Sequence, residues 1–461
     1  MPWGGSHPTI SKARMLKRKY LLNICLGTLL FFEGHLIWGD GAKTDSPWLA
    51  DGWNLHAQTT LIPQWHGPLH SPYRGQNSMF SDTDIDEQAS ITATIYAGTR
   101  LWNGAEFYLN PEASGGAGFN GGTGIAGFTN GEVTRVGTRR ITPYIARVFI
   151  RQSFNLNGDW EEVGNALNQL KEKRNKSRLT LTLGKVSVLD IFDNNAYAGD
   201  PRTQFMDWAL MANGSWDYPA DTRGYTWGFS AEFYQPQWVL RSGIYLEPRS
   251  ANGLELDEDI AQSHGQVLEV ETRHLIQDHP GKLRFMGYLN VAGMGNYTQA
   301  LQISPSAPDV TLTRQSGNKK YGFGFNAEQE LSKSLGIFTR VGWNDGRTET
   351  WAFTEIDQTA CIGLSVKGDS WQRPQDTFAM AELVNGLSNE HRDYLAAGGL
   401  GFIIGDGQLN YAPENIVEIY YSLHVIQALA VTLGSQEIYN PAYNRDRGPV
   451  TVWSVRVHCQ I

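Results

Sequence analysis

Three cysteines in 461 residues exclude a disulfide framework as the source of stability. No apolar stretch reaches the roughly 18–20 residues that a membrane-spanning helix needs. Positive charge is in deficit, with 38 Lys and Arg against 47 Asp and Glu for a formal net charge of −9. A basic surface for nucleic-acid phosphates is therefore missing, and nucleic acid is not expected as a partner. Catalytic signatures are missing too: there is no G-x-S-x-G, H-E-x-x-H, C-x-x-C or phosphate-loop pattern, and no enzyme is expected. Asp82, Asp84 and Asp86 alternate like the start of a calcium loop, but Glu87 stands where the loop needs glycine and Ala93 where it needs a bidentate glutamate. They read as solvated acids. The histidines show no metal-ligand spacing, and no metal or cofactor is implied. Helical periodicity is almost absent, and the apolar content of 41% is modest for a packed core of this length.

What is present is a two-residue rhythm from about residue 90 to the end. Ile91, Ala93, Ile95, Ala97 and Leu101 share one parity, and Ser90, Thr92, Thr94, Tyr96 and Arg100 the other. Successive side chains of a strand point to opposite faces, so one face suits hydrocarbon and the other water. The same split recurs in Leu179, Leu181 and Leu183 against Arg178, Thr180 and Thr182, and in Val417, Ile419, Tyr421 and Leu423 against Glu418, Tyr420 and Ser422. A soluble sandwich would place the apolar parity in a core; a membrane barrel places it against lipid and turns the charges toward a lumen. Periodicity alone does not choose. Arg or Lys on a lipid face at mid-depth costs roughly 2–4 kcal/mol, and strand number, unbroken alternation and the N-terminal segment favour the barrel. Abundant Gly (50), Tyr (19), Trp (15) and Phe (19) suit turns and interfacial girdles.

Near the N-terminus, Lys17, Arg18 and Lys19 precede the apolar run Tyr20–Phe32, the pattern of a signal peptide. The expected organisation is an extension and signal peptide over 1–41, a short lead over 42–52, and one barrel domain over 53–461. The chain is expected in the bacterial outer membrane after cleavage of that signal, with membrane lipid and the barrel-assembly machinery as partners. Short links at Trp102-Asn103, Gln235-Pro236 and Ser332–Leu335 alternate with long ones near 63–89, 111–143, 188–223, 247–264 and 292–319. About seventeen strands can be read; an even barrel and a lost phase between 387 and 413 reduce this to sixteen. Residues 155–176 carry helical periodicity and predict a short helix between strands. Cys361 and Cys459 remain after cleavage, as a disulfide or as two thiols.

Several strings carry a resemblance: SPYRGQNSM (71–79), GAEFYLNPE (104–112), the long run DIFDNNAYAGDPRTQFMDWALMANGSWDYPADTRGYTWG (190–228), GWNDGRTE (342–349), YLAAGGLGFIIGDG (394–407) and NPAYNRDRGPV (440–450). From about Trp53 to Ile461 the chain resembles the carbohydrate-selective porins of the OprB family. The resemblance implies an all-β, sixteen-stranded antiparallel outer-membrane barrel with inward-folded constriction loops, passing small carbohydrates by passive diffusion. One departure is Ile461, where such barrels commonly end in an aromatic residue.

Candidate pore-lining residues follow from the polar parity. Arg147 and Arg151 flank Phe149 on one strand, Arg139 and Arg140 approach it, and Glu106 and Tyr108 occupy the preceding strand. Guanidinium groups donate to hydroxyls, carboxylates accept from them, and aromatic faces pack on the C–H side of sugar rings. Weak binding at several sites is what conduction requires. The plain alternative is that these charges pair across the wall and only fill it. In the long central run, Asp193, Asn194, Asn195, Arg202 and Trp216 suit either an eyelet or a structural loop whose side chains satisfy turn backbone. Tyr73 and Arg74 in the first long loop are similar candidates. A general or ion-selective porin without sugar preference is the competing functional reading.

Overall fold

The computed structural model describes residues 52–79, 85–133, 140–353 and 355–461. The predicted signal segment and most of the predicted lead, Asp82, Asp84 and Arg139 lie outside the described residues. In chain order the strands are β1 Trp53–His66, β2 Asp86–Trp102, β3 Ala105–Gly116, β4 Thr142–Asn155, β5 Trp160–Val163 and β6 Glu172–Asn175. Then come β7 Arg178–Val186, β8 Thr226–Tyr234, β9 Trp238–Leu246, β10 His264–Ile276, β11 His279–Ala292 and β12 Asn318–Ser332. β13 Leu335–Asn344, β14 Gln358–Gly368, β15 Arg373–Gly386, β16 Glu414–Ile426, β17 Leu429–Tyr439 and β18 Val450–Gln460 complete the set. All but β5 and β6 form one closed antiparallel barrel of sixteen strands in sequential order, sealed where β1 pairs with β18 from Gln58↔Gln460 to His66↔Val452. Closure leaves no unpaired edge in the hydrocarbon layer.

The apolar parity faces outward and the charged parity inward. Leu183, Phe285, Ile362 and Leu433 are each about 60% exposed on the outer wall, where lipid would cover them. Their strand neighbours Thr182, Arg284, Cys361 and Thr432 are buried inside. Exposed Trp53, Trp102, Trp238 and Trp371 ring one end, and Trp227, Tyr321, Tyr439 and Trp453 the other, as interfacial girdles do.

Tight turns occupy the end that carries the first and last strand termini. Asn103-Gly104 joins β2 to β3, with Gly104 at φ 75°; a Cβ there would meet the Ser153 carbonyl at 2.3 Å. Gln277 and Asp278 join β10 to β11, both in the left-handed region. At the opposite end the connections are long, and that at 187–225 folds into the barrel. By the usual asymmetry the short-turn end faces the periplasm.

Two expectations are corrected. Residues 155–176 form no helix: β5 and β6 pair antiparallel from Trp160↔Asn175 to Val163↔Glu172. Charged residues at helical spacing there face their strand partners instead, as in Arg174–Glu161 at 2.9 Å. The seventeenth strand dissolves, because 387–413 is one long loop carrying the helix Asn389–Ala396, capped by Ser388. Cys361 and Cys459 are both free thiols.

Candidate functional site

A loop crossing a lumen brings unpaired backbone groups with it, and each must find a partner. Here the inward parity of the wall supplies them. Glu418 accepts from the Met206 and Asp207 amides at 2.7 and 2.9 Å, Glu269 from Asp193 at 2.7 Å, and Glu328 from Ala196 at 2.8 Å. Arg340 donates to the Leu210, Asp193 and Ala198 carbonyls at 2.6, 2.9 and 2.7 Å. Arg456 donates to those of Pro201 and Gln204 at 2.8 and 2.6 Å. The carboxylates among these clips are themselves balanced: Arg241 reaches Glu232, Glu269 and Glu271, and Arg284 reaches Glu271 and Glu328, all within 3.2 Å. Loop 187–225 is thereby fixed flat against the β8–β18 side of the lumen.

The loop's free edge faces β2–β4 and β7, and there polar and charged side chains converge. Glu112 is their hub. Its carboxylate accepts from the hydroxyls of Thr94 (2.6 Å), Tyr144 (2.6 Å) and Tyr225 (2.9 Å) and from Arg202 (3.0 Å). Arg202 also donates to Glu132 at 2.8 Å and to the Tyr96 hydroxyl at 3.1 Å. Burial works against its guanidinium charge, but Glu132 and Glu112 outweigh that and hold Arg202 well above its ordinary range. Arg147 grips Asp190 with two hydrogen bonds of 2.6 and 2.7 Å and lies 5.1 Å from the Tyr225 ring centre, while its Nη1 has no hydrogen-bond partner among the described residues. Lys185 pairs with Asp221 at 3.6 Å, and Arg223 covers the Tyr144 ring at 4.1 Å. Guanidinium, ammonium, phenol and carboxylate groups thus stand together between the loop's edge and the barrel wall. Below Arg202 a chamber of about 430 Å³ opens between the loop and the ends of β12–β18, lined among others by Tyr197, Gln204, Glu330, Tyr420 and His458.

The predicted residues divide. Arg147 and Arg202 both lie in the cluster at the loop's edge, on Asp190 and on Glu112 and Glu132 respectively. Arg151 lies lower on the same wall, 28% exposed, 3.9 Å from Glu106 and 5.3 Å from the Tyr108 and Phe149 ring centres. Glu106, Tyr108 and Phe149 do face inward, but all three are buried; the two rings stack at 5.0 Å beneath Leu170, so their faces are covered rather than open to water. Asp193 and Asn195 are buried anchors on Arg340 and Asn326, whereas Asn194 between them is exposed at the loop edge. Trp216 is 1% exposed, enclosed by Phe192, Tyr218 and Tyr288; it belongs to the aromatic packing that stiffens the loop, not to the water path. Tyr73 is tied to the last long loop through Asn444, Asp446 and Arg447. Arg74 and Arg140 are exposed in the long-loop region.

Sequence reading missed Glu112, Tyr144 and Tyr225. Strict alternation from Arg147 puts Tyr144 on the lipid side. The ladder shifts register at Asn110/Pro111, where proline has no amide to donate, and Ala146 becomes an extra residue. That bulge returns Tyr144 to the lumen and sends Ile145 out, 42% exposed. Tyr225 precedes the first residue of β8, so parity does not bind it. Pro111 was itself the available signal for a bulge.

A closed sixteen-stranded barrel with a charged interior, lipid-suited exterior and a loop-narrowed aqueous opening defines the porin class. Residues 85–461 match the carbohydrate-selective porin model of the OprB family, and the chain belongs to that family. It is a sugar-selective porin of the bacterial outer membrane. In fold it is similar to the high-pH structure of Pseudomonas putida OprB, with a TM-score of 0.67 and 15% identity over 89% of this chain and 94% of that one. The low-pH structure of the same porin gives 0.49 and 14% over 89% and 93%. The Acinetobacter baumannii outer-membrane channel DcaP gives 0.45 and 7% over 92% and 100%. Among curated proteins none matches the chain.

Proposed function

We propose that the eyelet passes monosaccharides and short oligosaccharides down their gradient by lateral exchange of hydrogen bonds, without chemical change. The observation that carries this is the convergence of Arg147, Arg202, Tyr96, Tyr144 and Tyr225 around Glu112 and Asp190. Hydroxyls of a sugar can accept from the guanidinium groups and donate to the Asp190 carboxylate, whose side chain is 37% exposed, replacing hydration as they move. Glu112 is saturated by four donors and serves to hold the phenols in place. Arg151 supplies a further donor below the eyelet. Residues 1–41 act as the cleaved export signal ahead of the lead and barrel, and membrane lipid and the assembly machinery are the remaining partners.

Liposome swelling with a graded sugar series tests the reading. Arg147→Ala and Arg151→Ala are expected to slow sugar entry while ion conductance is kept or raised. Equal swelling rates in wild type and both variants, with no block of conductance by added glucose or maltodextrin, would identify a general porin instead.

A further inference from the structure

Every other short-end connection among the described barrel strands is a tight turn, yet 156–177 is long and folds as the β5–β6 hairpin. Its tip does not hang into the periplasm. Ala166 and Gln169 exchange backbone hydrogen bonds of 3.0 Å in both directions, with Asn168 at φ 51° closing the turn. That turn is bonded to inward-facing wall residues on three strands. Asn54 of β1 donates to the Ala166 and Gln169 carbonyls at 2.8 and 3.1 Å and to the Asn165 side chain. Asn110 of β3 and Asn168 exchange amide hydrogen bonds of 2.8 and 2.9 Å. Arg151 of β4 donates to the Asn168 carbonyl at 3.0 Å, and the Leu170 amide donates to the Tyr108 hydroxyl at 3.1 Å. The stem is braced by Arg178–Glu161 at 3.1 Å and Arg100–Glu172 at 3.5 Å.

The depth of this contact is the point. Asn110 lies five residues into β3, about 17 Å along the strand from its periplasmic end. The next inward residue is Glu112, the hub of the eyelet, and Asn110 pairs in register with Arg147. A solute leaving the eyelet along this wall therefore meets the hairpin tip within one inward side-chain step, about 7 Å. The tip is not sealed by hydrocarbon alone: Asn165 is exposed and Gln169 half-buried, and their amides both donate and accept, the chemistry of a polyol contact, while the Asn168 amide is held by Asn110 and fixes the tip in place.

We infer that the β5–β6 hairpin is a second, exit-side constriction that sets the largest sugar the pore releases, with Asn165 and Gln169 as its specificity-determining residues and Asn168 as a positioning residue. This rests on the reading that sugars cross the eyelet, but its effect on pore size does not. The test uses two variants in planar bilayers and liposomes. In the first, residues 158–175 are replaced by Asn-Gly, which preserves β4 and β7. Ion conductance is expected to rise about twofold, since the narrowest segments limit flow, and trisaccharide swelling to rise relative to monosaccharide swelling. The second keeps the hairpin: Asn165→Cys in a Cys459→Ser background, with Cys361 buried and out of reach. Thiol reagents of increasing bulk added from the periplasmic side are expected to lower conductance stepwise. A folded loop-replaced barrel with unchanged conductance and size limit, or labelled Asn165→Cys with full conductance, would overturn the inference. If both variants change conductance while sugars show no preference in wild type, the hairpin filter stands and the sugar reading falls.

Discussion

Removing Arg340 should release the constriction loop without dissolving the barrel. The side chain is fully buried on β13 and makes three hydrogen bonds to loop carbonyls, plus a 3.1 Å contact with the Asp193 carboxylate. Arg340→Met keeps much of the volume and loses every donor. Breaking one side of a buried ion pair costs roughly 3–5 kcal/mol. Asp193 retains Asn326 Nδ2 and the Asn213 amide, both at 2.7 Å, which places the loss toward the lower end. About 3 kcal/mol corresponds to roughly a hundredfold rise in the population of a detached loop. The barrel ladder on either side of β13 is untouched. Single-channel recording should then show larger, noisier openings, while heat-modifiable gel mobility still reports a closed barrel. Asp193→Asn should be milder. The Arg340→Met/Asp193→Asn cycle should show a coupling of about 1 kcal/mol or more. Wild-type conductance and noise in Arg340→Met would refute the claim that wall side chains hold the loop.

Two further outcomes follow from the same geometry. Glu112→Gln removes the negative hub while Arg202 keeps Glu132, so reversal potentials in a salt gradient should shift toward anions; an unchanged potential would mean that the pore does not feel this charge. Asp207 caps the helix Trp208–Met211 through the Ala209 amide at 2.9 Å, and burial, then the charges of Glu418 and Glu414, push its carboxyl well above its ordinary value. The folded chain therefore holds this proton more tightly than the unfolded one, so its contribution to stability is full below the ordinary carboxylate range and is lost as pH rises toward the raised value. Asp207→Asn keeps the cap and cannot ionise; its thermal stability should match wild type near about pH 4 and exceed it near about pH 8, and an equal gap at both would contradict the assignment.

The strand interior was legible because alternation is local: whichever way a barrel closes, Arg147 and Arg151 share a face with Phe149, and Thr182 opposes Leu183. What alternation does not encode is where it stops. The Ala146 bulge reversed the face of Tyr144, and the loop end freed Tyr225, so two of the three phenols around Glu112 were invisible to parity. The helical reading of 155–176 failed for a related reason. Charges at three- and four-residue spacing fit a helix as well as a short hairpin, and only the lumen groups Asn54, Asn110 and Tyr108 select the hairpin.

By itself the sequence determined the barrel, its strand faces, its long and short ends and its family strings, because each is a pattern of neighbours along the chain. The tertiary structure alone decided which partners the inward groups take. Arg340, Glu418 and Arg456 are consumed in satisfying loop backbone, Tyr108 and Phe149 are covered by Leu170, and Arg147 and Arg202 pair with Asp190 and Glu112 at the loop's edge. The reason is physical: a polar side chain buried on the lumen face must be hydrogen-bonded, and its partner comes from segments more than a hundred residues away or from a hairpin on the far side of a turn.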